Sequence, residues 1–132
     1  MIGFFAACPG IGSIYILVRS KRGKDPSERL KVLLDSPIFK GLSGDLLCKV
    51  VAVEGDITLP KLGLSAPDEA LLTKEVSVVF HSAATVKFDE DLSKSMQMNV
   101  GGTLAVIDLA RKMGPNLASF VHVSTAYSHC YQ

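Results

Sequence analysis

Residues 76–85 constrain the fold of this chain more than any other stretch, because an apolar run ends there abruptly at His81. Four of residues 76–80 are β-branched or aromatic, without regular polar alternation, which is typical of a strand covered on both faces. The small residues Ser82, Ala83 and Ala84 follow, and ligands bind at the carboxyl ends of strands in open parallel sheets. The stretch is therefore either an ordinary core strand or a strand that delivers its carboxyl end to a ligand.

Composition narrows the classes of protein to which the chain can belong. With 132 residues, 48% of them hydrophobic and 20% charged, it is a globular chain of at most one domain. A formal net charge of +1 argues against general attraction to nucleic acid. Three widely separated cysteines without a Cys-x-x-Cys pair predict neither a disulfide framework nor a zinc site, so we expect no metal and an intracellular, reducing compartment.

Strand-like and helix-like patterns alternate along the sequence. Strands are predicted at residues 14–18, 50–53, 76–80 and 120–123, and helices at residues 26–34, 66–72 and 92–113. Such alternation predicts an α/β fold, a doubly wound parallel sheet with right-handed crossovers.

The longest helical pattern, residues 92–113, carries features that point to close packing. Gly101 and Gly102 each cost a helix about 1 kcal/mol relative to Ala, so we expect the sheet or a cofactor to approach the backbone there. Asn99 is expected to brace a neighbouring strand end and His81 to be hydrogen-bonded, because buried polar groups need partners. An apolar stripe on this helix is predicted to lie in the core: Leu92, Met96, Val100, Leu104 and Ile107.

Polar residues after the first two strands have both an ordinary and a functional interpretation. A run of four cations that includes Arg19 and Lys21 is either a solvated loop or a site for the 2′-phosphate of NADP. After the second strand, Asp56 either closes a turn or accepts a hydrogen bond from an adenine amino group, with Ile57 packed on the ring. Taken alone, neither motif distinguishes the ordinary from the functional interpretation.

Together, the motifs resemble those of the fatty acyl-CoA reductases, a branch of the extended short-chain dehydrogenases with a male-sterility-type NAD-binding domain. The resemblance extends from about Cys8 to Gln132, and the order of the motifs makes it specific. The motifs are Ile14-Tyr-Ile-Leu-Val-Arg19, Glu54-Gly-Asp56, Val79-Phe-His-Ser-Ala-Ala-Thr85, Asn99-Val-x-Gly-Thr103 and Val121-His-Val-Ser-Thr-Ala-Tyr127.

The resemblance implies an NADPH-dependent enzyme that reduces a long-chain fatty acyl-CoA, through an aldehyde, to a primary alcohol. It implies that Thr125 donates a hydrogen bond to the substrate carbonyl, where arriving hydride builds negative charge, with Ser124 beside it. The family typically works at peroxisomal or endoplasmic-reticulum membranes, which is the location that the resemblance implies. The implied cofactor-binding residues are Arg19, Lys21, Asp56, Ile57, Ala83, Ala84 and Asn99.

Two features of the family are missing from the sequence. The glycine-rich turn that holds the pyrophosphate follows a first strand, whereas Gly10-Ile-Gly12 precedes one, so residues 1–13 are an atypical segment. The Tyr-x-x-x-Lys pair is expected beyond Thr125 and does not occur. We therefore expect residues 1–132 to be a partial NADP-binding Rossmann-type domain, truncated at both ends, with neither tight NADPH binding nor catalysis alone.

Two other classes of protein stay open. Another extended short-chain dehydrogenase, such as a sugar-nucleotide epimerase or a carboxylic acid reductase domain, would share Asp56, Ala83, Ala84 and Asn99. A non-catalytic remnant of the fold is the second class. Its missing first strand would expose a sheet edge and apolar surface, which predicts self-association.

Overall fold

The structure, a computed structural model, describes residues 8–20, 23, 25–39, 44–87 and 89–125, along which strands and helices alternate. The strands are β1 (Ile14–Val18), β2 (Val50–Glu54), β3 (Val78–His81) and β4 (Ser119–His122). The α-helices are α1 (Pro26–Leu34), α2 (Gly44–Leu47), α3 (Ala66–Glu75), α4 (Leu92–Ser95) and α5 (Gly102–Met113). A π-helical segment, Met96–Gly101, joins α4 to α5, and short 3-10 turns cover Pro37–Phe39, Pro60–Gly63 and Gly114–Asn116. The predicted α/β class with parallel strand pairing is confirmed.

The chain divides into two compact units, of which the first comprises Met1–Asp56 and Gly63–Ser65. In this unit β1 pairs with β2 in parallel, from Ile14 opposite Val50 to Val18 opposite Glu54. Helix α1 packs on this strand pair. Two parallel strands joined through a helix form the βαβ arrangement that the sequence predicts.

Helix α1 begins where its sequence predicts. Asp25 is the N-cap, and its Oδ1 accepts a hydrogen bond from the Glu28 backbone amide at 2.8 Å. Pro26 occupies the first turn, where its missing N–H costs nothing because that group has no helical acceptor.

Replacing Asp25 by Ala is expected to lower the free energy of unfolding by about 1 kcal/mol, because the Glu28 amide loses its acceptor. Urea denaturation followed by circular dichroism measures the change. Asp35→Ala is the matched control at the opposite end of α1, where a carboxylate faces the negative end of the helix dipole. Its loss should leave stability unchanged or raise it by about 0.5 kcal/mol. Equal losses in both variants would contradict the capping role.

The second unit comprises Ile57–Leu62 and Ala66–Gln132. In it β3 pairs with β4 in parallel, with His81 opposite His122, and α3 packs against α5. Strand β3 begins at Val78 rather than at the predicted Val76. The backbone amide of Val76 bonds instead to the Leu72 carbonyl at 3.0 Å, which continues the hydrogen-bond pattern of α3.

The prediction that the apolar stripe of residues 92–107 lies in the core is wrong for most of its length. Leu92 is 77% exposed, Met96 51% and Leu104 56%. A π-helical turn holds more residues than an α-turn, so side chains on either side of Met96–Gly101 lose the common face that α-helical spacing assigns. The buried residues of α5 are instead Gly102, Ala110 and Met113.

Gly102 is buried because the turn after β2 lies directly against it. A Cβ atom at Gly102 would lie 3.1 Å from the Cβ of Ile57 and 3.2 Å from its carbonyl oxygen. At Gly101 the nearest atom would be the Met96 carbonyl oxygen, at 3.9 Å. The predicted close approach of the sheet or a cofactor to this pair of glycines has a protein source at Gly102, where Ile57 lies against the backbone. An approach of a cofactor stays a prediction.

Replacing Gly102 by Val is expected to destabilise the fold by about 1–3 kcal/mol, because the added atoms must displace Ile57. Gly101→Val is the matched control, since Gly101 is exposed and a Cβ there has room. That change should alter stability by no more than about 0.5 kcal/mol. Urea denaturation of both variants tests the comparison, and similar losses at the two positions would contradict it.

Candidate functional site

In the first unit, two predicted cofactor-binding residues follow the ends of paired strands. Arg19 follows β1 and Asp56 lies two residues beyond β2, and the Gly55 amide extends the pairing by bonding to the Val18 carbonyl at 3.2 Å. Arg19 is exposed and Asp56 is half-buried. The Arg29 guanidinium donates to the Arg19 carbonyl, so α1 holds the backbone of that residue. Both residues therefore leave the strand pair at its carboxyl edge.

The residues around Arg19 are also tied to β2. The Ser20 hydroxyl donates a hydrogen bond to the Glu54 carboxylate at the end of that strand. Lys21, which was predicted to bind the cofactor together with Arg19, lies outside the residues that the structure describes. The hydrogen bonds of Ser20 and Arg29 thus fix the backbone on which the Arg19 side chain stands.

In the second unit, the predicted catalytic residues emerge beside predicted cofactor-binding residues. The Val123 amide bonds to the His81 carbonyl at 2.9 Å, which continues the parallel register one step beyond β4. The segments that follow β3 and β4 then leave the carboxyl edge of the strand pair, and their first side chains are exposed. These exposed residues are Ser82, Ala83 and Ala84 after β3, and Ser124 and Thr125 after β4.

Asn99 connects the π-helical segment to the loop after β3. Its side-chain Oδ1 accepts a hydrogen bond from the Thr85 backbone amide at 2.9 Å. Its backbone carbonyl accepts a hydrogen bond from the Thr103 hydroxyl at 2.6 Å. The side-chain contact is of the kind expected for a residue that braces a strand end, whereas a direct contact between Asn99 and a cofactor stays a prediction.

Ile57, predicted to pack on an adenine ring, has a defined structural contact. It lies against Gly102 of α5 and is half-buried there. Its adenine contact stays a prediction, as do the roles of Arg19, Asp56 and Ala83.

His81 is the one buried polar residue among those that the structure describes, with 3% of its surface exposed. Its Nε2 atom lies 2.9 Å from the Thr103 hydroxyl oxygen, so the expected hydrogen-bonded strand-end histidine is confirmed. Its ring stacks on that of His122, with centroids 5.3 Å apart and planes inclined by 25°. Burial lowers the pKa of His81, and the neighbouring His122 lowers it further.

Thr103 is the residue in this cluster that sequence reasoning missed. The available signal was its position four residues after Asn99, one turn further along the same helical pattern. Nothing in the linear sequence pairs that helix position with the end of β3, because the contact depends on how the helix packs on the strand.

The lowered pKa of His81 predicts that stability falls in mild acid. The unfolded chain binds a proton at the ordinary histidine pKa of about 6.5, whereas the folded chain resists protonation. Stability is therefore full above about pH 6.5 and declines as the pH falls toward the lowered folded-state pKa. Urea midpoints measured between about pH 7.5 and pH 5.5 should show this decline.

His122→Asn should flatten the decline, because it removes the neighbouring imidazole that helps to lower the pKa of His81. His81→Gln should flatten it further, since the buried imidazole is then gone. If the urea midpoints of both variants fall with pH as steeply as those of the unaltered chain, the pH dependence belongs to other groups.

Within residues 8–20, 23, 25–39, 44–87 and 89–125, no group of three or more His, Cys, Asp or Glu side chains is arranged to hold a metal ion. None of the helices in that part of the chain is both long enough and apolar enough to cross a membrane.

The chain is similar to curated fatty acyl-CoA reductases. "Fatty acyl-CoA reductase wat" of Drosophila melanogaster is 42% identical over 123 residues, which are 91% of this chain and 24% of the relative. "Fatty acyl-CoA reductase 1" of Mus musculus is 42% identical over 127 residues, which are 94% of this chain and 24% of the relative. The chain therefore spans about a quarter of the length of these relatives.

Solved structures of reductase domains share its fold. The terminal R domain of the myxalamid PKS-NRPS biosynthetic pathway superposes with a TM-score of 0.72 and 29% identity, over 95% of this chain and 32% of that chain. The reductase (R) domain of a nonribosomal peptide synthetase from Mycobacterium tuberculosis gives a TM-score of 0.69 and 32% identity, over 95% and 29% of the two chains.

The NAD-binding family described as "Male sterility protein" matches residues 4–132. The match therefore includes the carboxyl edges of both strand pairs, Asn99 and the predicted catalytic residues. It confirms the resemblance that the five sequence motifs indicated, and it supports a nicotinamide cofactor. This chain belongs to the Male sterility protein family of NAD-binding domains.

Proposed function

We propose that the chain forms part of an NADPH-dependent fatty acyl-CoA reductase, in which it binds the cofactor and positions the substrate carbonyl. The observation that carries the proposal is the shared carboxyl edge of β3 and β4, where Ala83 and Ala84 emerge beside Thr125. A ligand path and a hydroxyl donor at one sheet edge are two of the parts that carbonyl reduction requires. The similarity to fatty acyl-CoA reductases over 91–94% of the chain supports the choice of substrate.

Each unit offers residues that suit one part of a dinucleotide cofactor. Ala83 and Ala84 are exposed and carry only a methyl group, so an extended ligand can approach the backbone after β3. In the first unit, the exposed Arg19 guanidinium matches a phosphate group in bidentate geometry. An acidic residue at that point favours NADH, whereas Arg favours the 2′-phosphate of NADPH. We therefore propose NADPH, which supplies hydride when bound, as the cofactor.

The residues of this chain would stabilise the negative charge on the substrate carbonyl oxygen and hold the cofactor in position. The Thr125 hydroxyl donates a hydrogen bond to the carbonyl oxygen as negative charge develops on it. That role applies twice, because the thioester is first reduced to an aldehyde with release of the CoA thiol, and the aldehyde is then reduced to the alcohol. Each reduction consumes one hydride and one proton. Ser124 is a second hydroxyl at the same edge, and Asp56 accepts a hydrogen bond from the adenine amino group.

We also propose that the enzyme works at a peroxisomal or endoplasmic-reticulum membrane. A long-chain acyl-CoA is an amphiphile whose acyl chain partitions into lipid, so an enzyme placed at the membrane surface meets its substrate there. Fractionation of cells that express the tagged complete coding sequence tests this, and recovery only in the soluble fraction would contradict it.

The activity is tested with the product of the complete coding sequence. Incubation with palmitoyl-CoA and NADPH should yield fatty alcohol, detected by mass spectrometry, with two NADPH oxidised per alcohol formed. NADH should support a much lower rate. Turnover of a UDP-sugar instead of the acyl-CoA would favour the epimerase class, and oxidation of one NADPH per released aldehyde would favour the carboxylic acid reductase class.

A further inference from the structure

Three hydrogen bonds connect the buried His81 to the loop after β3. The first joins His81 Nε2 to Thr103 Oγ1 at 2.9 Å, and the second joins Thr103 Oγ1 to the Asn99 carbonyl oxygen at 2.6 Å. The third joins the Asn99 side-chain oxygen to the Thr85 amide at 2.9 Å. The path therefore begins in β3, crosses to the helix and returns to the chain four residues beyond His81.

The direction of each bond follows from the number of protons available. A carbonyl oxygen only accepts, so the single hydroxyl proton of Thr103 must lie on the short bond to Asn99. The Thr103 oxygen then accepts from His81, which requires the proton of the neutral imidazole to be on Nε2. A neutral ring agrees with the lowered pKa of His81.

The His81 end of this path is fixed by further contacts. The His81 ring is buried and stacks on His122, while the His81 carbonyl accepts the Val123 amide. Asn99 lies in the π-helical segment, where backbone bonds span five residues instead of four. The Thr103 hydroxyl adds a side-chain hydrogen bond to the Asn99 carbonyl, between α5 and this π-helical segment.

We propose that His81 and Thr103 are positioning residues, which fix the loop at residues 82–85 through Asn99 and so shape the surface on which the cofactor lies. This inference rests on the proposed function, because the loop matters only if Ala83 and Ala84 line the cofactor path. The two residues touch neither cofactor nor substrate. They act by holding the Asn99 carbonyl, and with it the amide side chain that binds Thr85.

Thr103→Val tests the relay, because valine keeps the branched shape of threonine and removes the hydroxyl. Hydrogen exchange of the Thr85 amide, measured by NMR on the chain, should become about tenfold faster, as expected for a lost hydrogen bond in a connected set. Thr103→Ser should restore the wild-type rate. Thr73→Val is the matched control, since the Thr73 hydroxyl also bonds to the carbonyl four residues earlier but is not part of the relay. Equal Thr85 exchange in Thr103→Val and Thr73→Val would overturn the proposal.

The protonation of His81 provides a test in the unaltered chain, which does not depend on how any variant folds. The ¹⁵N chemical shifts of the imidazole should show a protonated Nε2 and an unprotonated Nδ1 at neutral pH. The reverse tautomer would make Thr103 the donor to His81, which would leave the Asn99 carbonyl without the hydroxyl proton and overturn the relay.

A kinetic comparison links the relay to function and separates the two proposals. In the product of the complete coding sequence, Thr103→Val should raise the KM for NADPH severalfold with a smaller change in kcat, and Thr103→Ser should restore it. A merely destabilised protein would lose active fraction and therefore kcat, with KM unchanged. Wild-type protein that neither binds nor oxidises NADPH would refute the proposed function, whereas the Thr85 exchange would still decide whether the relay exists.

Discussion

Replacing Thr125 by Val is expected to lower kcat for acyl-CoA reduction by about 100-fold to 1,000-fold, the usual effect of removing one donor to a developing oxyanion. Valine has the shape of threonine without its hydroxyl, so the fold of the exposed segment after β4 should be retained. Single-turnover rates of NADPH oxidation with saturating palmitoyl-CoA measure the effect on the chemical step.

Thr125→Ser and Ser124→Ala are the controls for this prediction. Serine keeps a hydroxyl and should retain most of the activity, whereas Ser124→Ala should have a smaller effect than Thr125→Val if Thr125 is the donor. A larger loss in Ser124→Ala would transfer the donor role to Ser124. Full activity in both Thr125→Val and Ser124→Ala would remove the proposed mechanism and the reason for assigning this edge to catalysis.

Replacing Arg19 by Gln is expected to weaken binding of the 2′-phosphate by about 10-fold to 100-fold, because a charge-assisted hydrogen bond contributes about 1.5–3 kcal/mol. The comparison that isolates this contact uses adenosine 2′,5′-bisphosphate and adenosine 5′-monophosphate, which differ only in the 2′-phosphate. NMR titration of the chain registers such binding even when it is weak.

The variant should lose affinity for the bisphosphate and keep its affinity for the monophosphate. Arg111→Gln is the matched control, an exposed arginine that pairs with Asp108 on α5. Parallel losses for both ligands would mean that Arg19 supports the fold of the loop, not recognition of the phosphate. Equal affinity of the wild-type chain for the two ligands would favour NADH as the cofactor.

The features that sequence reasoning predicted correctly depend on local chemistry. The N-cap at Asp25 follows from a side chain and an amide three residues apart, and β1 follows from a dense run of β-branched residues. The alternation of elements also predicts that Arg19 follows β1 and that Thr125 follows β4, each at the carboxyl edge of its own strand pair.

The features that could not be predicted from the sequence depend on packing between distant segments. Large apolar residues such as Leu92 and Leu104 suggested the buried face of the long helix, but both are exposed. The buried residues of α5 are Gly102, Ala110 and Met113, of which the first two are small enough to permit close approach. The π-helical segment has no compositional signature, and its extra residue changes which side chains share a face. The predicted single domain, the self-association and the direct cofactor contacts stay predictions.

The parallel pairing of the strands also determines the order in which the chain can fold during synthesis. Val50 must be made before β1 can pair, and Ser119 before β3 can pair, so each strand pair depends on contacts between residues far apart in sequence. Such non-local pairing folds slowly compared with helices. At a translation rate of ~5–20 residues per second, the backbone amides and carbonyls of β3 wait a few seconds for their partners in β4. The nascent chain should therefore bind chaperones most strongly after β3 leaves the ribosome and lose them once β4 has emerged.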